Sequence, residues 1–174
     1  MKTSRIDEYI RRQENITQVT RQELERIQLD KLNAVLEREK LRGGFYAGLP
    51  GRLDSLGELA KLPFTTDEEL AHNAARLLLV SQADIRRVLS DATSGTTGTA
   101  KRVFYTEGDC RSTVELFMAG LGELVHEGSV TMICMPFSGP FGLGELIAEA
   151  IEGLGARPLK TGVSKSYGEL RDIL

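Results

Sequence analysis

Val130-Thr131-Met132-Ile133-Cys134-Met135 is a short, nearly continuous apolar run, the pattern of a buried parallel strand. A glycine-rich stretch, Pro136 to Gly144, follows it and holds Phe137 and Phe141. Leu146, Ile147, Ala150, Ile151 and Leu154 then recur at helical spacing and stop at Gly155. Arg157-Pro158-Leu159-Lys160 is a second short strand, and Tyr167 to Leu174 begins another helix. Strand, crossover helix and strand at this spacing predict an α/β domain with parallel pairing. Ligands of such sheets bind beyond the carboxyl ends of the strands, so Phe137, Phe141 and Gly142 are candidate pocket residues. A structural turn with core aromatics is the equal alternative for this loop.

Upstream lies Thr93-Ser94-Gly95-Thr96-Thr97-Gly98-Thr99-Ala100-Lys101. Gly95 and Gly98 let the backbone reach positive φ and approach a ligand closely. The hydroxyls and successive N–H groups of Thr93, Ser94, Thr96 and Thr97 can converge on phosphate oxygens as an anion-binding nest, and Lys101 adds a mobile positive charge. The run is not a Walker A loop, which needs four residues between its glycines and a lysine directly after the second. Val88 to Ala92 and Arg102 to Tyr105 both read as strand, so the expected geometry is a strand–loop–strand hairpin. A flexible Gly/Ser/Thr surface loop is the plain alternative.

Residues 1–42 read as helical and polar. Thr20 with Glu23 fits a capping box, and Leu24, Ile27, Lys31, Leu32, Val35 and Leu36 form one stripe, stopped by Gly43-Gly44. That stripe is expected to pack on its own domain, with an interaction surface as the alternative. The weaker segment from Ser4 to Val19 is expected to be a mobile or interface helix. Ser55 with Glu58 and Thr66 with Glu69 make two further boxes, opening short helices; the first must end before Pro63. Thr106 to Asp109 reads as a helix start, and Val114, Leu116, Phe117, Leu121, Leu124 and Val125 give that helix a broad apolar face. The composition change near residue 44 divides a helical segment, 1–44, from a domain at 45–174.

The 174 residues carry a net charge of -3, with a pI near 5.5. A mildly acidic chain lacks the basic patch that nucleic-acid binding needs. No apolar run approaches the roughly 20 residues of a membrane span, and the charged N-terminus lacks a signal-peptide core. Two cysteines, Cys110 and Cys134, are too few for a disulfide framework, so a cytoplasmic protein with reduced thiols is expected. They read as ordinary helix and strand residues with no activating neighbour. His72 and His126 are isolated, so no metal site is expected from the side chains.

Four blocks taken in order resemble one family: Phe45-Tyr46, Leu59-Ala60-Lys61-Leu62-Pro63-Phe64-Thr65-Thr66, the run Thr93 to Lys101, and Tyr105-Thr106. Together they resemble the phenylacetate–CoA ligase-like branch of the AMP-forming adenylating enzymes, and the layout from Pro136 to Ala156 is similar too. The resemblance covers roughly residues 45–162. It implies an α/β fold: part of an acyl-CoA synthetase-like N-terminal domain after the helical segment. It also implies a two-step reaction in which a small carboxylic acid attacks the α-phosphate of ATP, and coenzyme A then displaces AMP. By the same resemblance Thr93, Ser94, Gly95, Thr96, Thr97 and Gly98 hold the β- and γ-phosphates, Lys101 acts in catalysis, and Mg2+ bridges the phosphates.

Ala100 departs from the proline of many relatives, and Ser90-Asp91-Ala92 from a more hydrophobic lead-in. Family members are far longer. Their ribose-binding aspartate, adenine-site aromatic, hinge and late lysine have no counterpart here, and Lys160, Lys165 and Asp172 lack the context for those roles. The chain therefore looks like the N-terminal portion of a ligase, with a homodimer or a completing chain as expected partners. Its alternatives are a truncated non-catalytic remnant and a stand-alone nucleotide-binding module.

Overall fold

The computed structural model describes residues 3–91, 101–137, 139–163 and 165–173. By packing, these residues form two compact units, 1–15 with 106–174 and 16–105. The compositional boundary at residue 44 falls inside the second.

In the first unit, β3 (Val130–Ile133), α5 (Leu143–Gly153) and β4 (Arg157–Lys160) realise the strand–helix–strand reading, and the two strands pair in parallel with Val130 opposite Arg157 and Ile133 opposite Lys160. α5 packs on both strands and on α4 (Glu107–Leu121). Val125, Ile133, Ala148, Ile151 and Ala156 form the core, with Leu121, Met135, Phe137, Ile147 and Leu154 packed around them. Ile151 is fully buried, which alone stabilises the unit by about 1.5–3 kcal/mol relative to exposure. α5 ends in a Schellman turn: Ala156 N–H donates to the Ile151 carbonyl at 3.1 Å, and Gly155 takes φ +74, which costs a glycine little.

α4 starts at the expected place. Thr106 Oγ1 accepts from Asp109 N–H at 3.1 Å while the Asp109 carboxylate accepts from Thr106 N–H at 2.7 Å. Its apolar face is narrower than its sequence predicts. Cys110, Val114 and Ala119 are buried, whereas Leu116 faces solvent; Leu124 and Val125, expected on this helix, lie past its end, Leu124 at 82% exposure and Val125 buried. The small residues Cys110 and Ala119 let neighbours approach, so the contact face turns toward them and away from Leu116. Cys134 lies just past β3 and is exposed rather than a strand residue. α1 (Arg5–Glu14) is capped by a Ser4–Asp7 box and packs on α4, where Gln13 donates to Glu115 at 2.9 Å. The helical part of the Ser4–Val19 segment, expected to be mobile or an interface helix, thus belongs to this unit, while residues 16–19 belong to the other. α6 (Tyr167–Ile173) starts where the sequence places it, behind a reciprocal Ser166–Glu169 pair.

The second unit contains α2 (Arg21–Arg42), a 3₁₀ turn at Leu56–Lys61, α3 (Asp67–Asn73), and the paired strands β1 (Ile85–Asp91) and β2 (Lys101–Thr106). α2 stops at Gly43, as expected. Only half of its capping box forms: Thr20 Oγ1 accepts from Glu23 N–H, but the Glu23 carboxylate turns to Arg26 at 2.6 Å. The stripe also differs. Ile27 and Leu36 are buried, but Val35 is 44% exposed and Lys31 is exposed, while polar Asn33 and Glu39 are buried in their place. The Ser55–Glu58 box is incomplete as well: the Ser55 side chain makes no cap bond, while the Glu58 carboxylate accepts from Asp54 N–H at 2.8 Å, and the turn is 3₁₀. The Thr66–Glu69 box is complete and opens α3.

Candidate functional site

β1 and β2 are hydrogen-bonded neighbours, so the run from Thr93 to Gly98 connects two paired strands, as the flanking sequence predicts. Thr93, Ser94, Gly95, Thr96, Thr97 and Gly98 themselves lie outside the described residues. Lys101 is the first residue of β2. Beyond it, the Arg87 guanidinium of β1 lies 4.9 Å from the ring centre of Tyr105 on β2, a cation–π contact across the strand pair.

Two blocks that are separate in sequence meet in space. Phe45, Tyr46, Leu49, Pro63, Phe64, Thr65 and Glu69 line a cleft of about 200 Å³. Phe45 and Tyr46 pack edge to face at 4.9 Å, and the Tyr46 hydroxyl is 2.7 Å from Thr65 Oγ1. Arg76 covers the Phe45 ring at 5.7 Å. Phe64 is 97% exposed at the cleft's edge. The Glu69 carboxyl, which also lines the cleft, is held below the usual glutamate range, first by the Thr66 backbone N–H and then by the Thr66 hydroxyl.

Two buried polar side chains hold this region. The Asn33 amide donates to the Leu53 carbonyl at 3.0 Å and accepts from Leu53 N–H at 2.8 Å, doing for a loop what a neighbouring strand does. The Glu39 carboxylate accepts from Tyr46 N–H at 3.2 Å and so sets the start of the aromatic pair. Sequence reading missed both, because each partner is a backbone group of a distant loop.

The loop after β3 holds the other candidates. Gly142 N–H donates to the Gly139 carbonyl at 2.9 Å, closing a tight turn over Pro140 and Phe141. Phe141 sits at φ +63, a left-handed conformation that costs a bulky residue about 1–2 kcal/mol. Gly142 is the N-cap residue of α5 and is buried. Phe137 turns inward onto the core, and its ring lies where a Cβ on Gly144 would be only 2.9 Å away, so the helix start must be glycine for the aromatic to pack. Lys160, at the end of β4, ion-pairs with Glu145 of α5 and lies 5.7 Å from the Phe137 ring centre. Phe137, Phe141, Gly142, Glu145 and Lys160 thus gather at the carboxyl ends of β3 and β4, the edge where α/β sheets bind ligands.

No family model matches the chain, and no curated protein matches it in sequence. Solved structures do match its fold. An open conformation of 2-hydroxyisobutyryl-CoA ligase, in complex with 2-HIB-AMP and CoA, superposes with a TM-score of 0.66 and 19% identity over 89% of this chain and 38% of that one. The chain has the fold of part of a CoA ligase. The same ligase in its thioesterification state matches with a TM-score of 0.64, 21% identity and coverage of 89% and 35%. In its postadenylation state with 2-HIB-AMP the values are 0.62, 18%, 89% and 34%. The chain therefore spans little more than a third of the length of these structures. Among the described residues no cluster of His, Cys, Asp and Glu could hold a metal ion, and no helix is long and apolar enough to cross a membrane.

Proposed function

We propose that this chain is the N-terminal part of an AMP-forming carboxylate–CoA ligase of the phenylacetate–CoA ligase-like branch. The observation that supports it most is the coincidence of two independent features. The fold is that of part of a CoA ligase, and the Ser-Gly-Thr-Thr-Gly run with Lys101 connects the paired strands β1 and β2. The branch assignment rests on the Leu-Pro-Phe-Thr-Thr block at 62–66, whose Pro63, Phe64 and Thr65 share a cleft with Phe45 and Tyr46.

In this reading Thr93 to Gly98 wrap the β- and γ-phosphates of ATP, and Lys101 stabilises the charge that develops as pyrophosphate leaves. The acid's carboxylate oxygen bonds to the α-phosphorus as the bond to pyrophosphate breaks, giving an acyl-adenylate. The coenzyme A sulfur then bonds to the acyl carbon, AMP departs, and the thiol proton goes to solvent or to a base. By the same resemblance, Mg2+ would neutralise part of the phosphate charge. Phe141, strained at the carboxyl end of β3, and Gly142 would border the acyl group. Phe137 supports that border from the core side.

The test is ATP–pyrophosphate exchange in the complete enzyme. Lys101→Ala is expected to lower the rate by about 10²–10³, the usual cost of losing one group that stabilises transition-state charge. An unchanged rate would remove Lys101 from the mechanism. The buried Ile27 and Leu36 of α2 favour a packing role for that helix over an interaction role.

A further inference from the structure

The cleft lined by Phe45, Tyr46, Phe64, Thr65 and Glu69 takes no part in the reaction proposed above. Its volume of about 200 Å³ falls below the roughly 300–1,000 Å³ of pockets for drug-sized ligands, so it suits a group of a few heavy atoms. The aromatic walls are held in place. Tyr46 is fixed by its 2.7 Å bond to Thr65 Oγ1 and by the edge-to-face contact with Phe45. Pro63, its φ set by the ring, leads directly into Phe64. Phe64 is 97% exposed, although an aromatic side chain gains much from burial.

The charge beside these rings is negative. Glu69 accepts from Thr66 N–H at 2.7 Å and from the Thr66 hydroxyl at 2.9 Å, and these bonds keep its carboxyl ionised at neutral pH. Both end on Oε2, so Oε1 keeps its capacity to accept. Asp67 and Glu68 lie on the same first turn of α3. An anion would meet like charge here. A neutral apolar group would strip water from the Glu69 carboxylate without pairing it. A metal ion needs several donors, and among the described residues no cluster of His, Cys, Asp and Glu supplies them. An organic cation meets every wall: its charge pairs with the carboxylate and its carbons lie against aromatic rings. The protein already makes one such contact beside the cleft, with the Arg76 guanidinium 5.7 Å from the Phe45 ring centre. Among the described residues no cation covers Phe64 in this way.

We infer that this cleft binds a small free alkylammonium compound, its charge beside Glu69 and its alkyl groups against Tyr46 and Phe64. Arg76 keeps the Phe45 ring. Alkylation favours the ligand, because each carbon on the nitrogen replaces a hydrogen-bonded water that would otherwise have to be shed and adds surface for the rings. The cleft volume limits the substituents to short ones. The site stands apart from the Thr93–Lys101 run and does not depend on the ligase reading.

Aromatic-region NMR of the complete protein tests it. The probe is tetramethylammonium chloride, compared with sodium chloride at the same ionic strength and with tert-butanol, a neutral molecule of similar size. The Phe64 and Tyr46 ring signals should shift saturably with tetramethylammonium, and tert-butanol should bind about 10-fold more weakly or worse. Phe64→Leu should weaken binding by about 3–10-fold, the value of a cation–π contact near the surface. That side chain is exposed, so the variant keeps its fold. Glu69→Gln should weaken binding by about 2–5-fold, the value of an exposed charge pair. Glutamine serves as well as glutamate at this place in a capping box, so the start of α3 persists. Shifts that grow linearly without saturating, equal binding of tert-butanol, or undiminished binding by Phe64→Leu would each overturn the proposal. A trimethyllysine peptide that binds about 10-fold or more tighter than tetramethylammonium would also overturn it, because the occupant would then be a protein side chain and not a free amine. ATP–pyrophosphate exchange plays no part in this test, so its outcome and that of the ligase reading are separate.

Discussion

The two units are held together by different means. In the unit of β3, α5 and β4, an apolar cluster around Ile151 does the work, and glycines at 144 and 155 allow close approach and a sharp stop. In the unit of α2 and the 45–66 connector, buried polar side chains reach backbone groups of loops: Asn33 to Leu53, Glu39 to Tyr46. An apolar core tolerates some repacking, whereas a buried polar tie leaves orphaned groups when one side is removed. The aromatic cleft of Phe45, Tyr46 and Phe64 belongs to the second kind.

The sharpest way to break this contrast is Ile151→Ala. It should lower stability by about 2–5 kcal/mol, the cost of a large-to-small change at a fully buried site, read by denaturant unfolding. A loss well under 1 kcal/mol would mean that the cluster is not the core. Asn33→Leu should come next. It keeps similar bulk but strands Leu53 N–H and C=O, at about 1–3 kcal/mol for each buried group left unsatisfied. Exchange of the Leu53 amide should speed up, and unchanged exchange would show that the tie does not hold the loop.

The smallest effect concerns acid. Glu69 is held below the usual glutamate range by Thr66, so its ionised form favours the folded start of α3. A carboxyl depressed in this way adds stability above its unfolded pKa and loses it as pH falls through the lower folded value. The Thr66 amide should therefore stay protected at neutral pH and open only below about pH 4, near the ordinary glutamate value. Glu69→Gln should flatten that profile; a profile that persists in the variant would assign it to another group.

The same contrast explains what was legible in the sequence. β4 and α6 begin where periodicity and punctuation place them, because local apolar pattern and turn chemistry agree there. The α2 stripe was misjudged at Lys31 and Val35, since Asn33 and Glu39 take inward positions for partners that no local pattern reveals. Leu116 of α4 looked like core and is not, because Cys110, Val114 and Ala119 form the buried face; Leu124 looked like part of the same helix but lies in the turn after it. For the candidate site, the strands flanking the Thr93–Gly98 run could be read in advance, and so could the loop holding Phe141. The meeting of Phe45-Tyr46 with Pro63-Phe64-Thr65 could not, because it depends on the path of the connector. Nor could Lys160 reaching Phe137 and Glu145, which depends on the parallel register.

The most direct measurement is carboxylate-dependent ATP–pyrophosphate exchange by the complete protein across a panel of aryl, arylacetic and short aliphatic acids. The account predicts exchange with at least one acid, no exchange without acid, and AMP and a CoA thioester once coenzyme A is added. ATP turnover to ADP, or no exchange with any acid in a folded preparation, would contradict it.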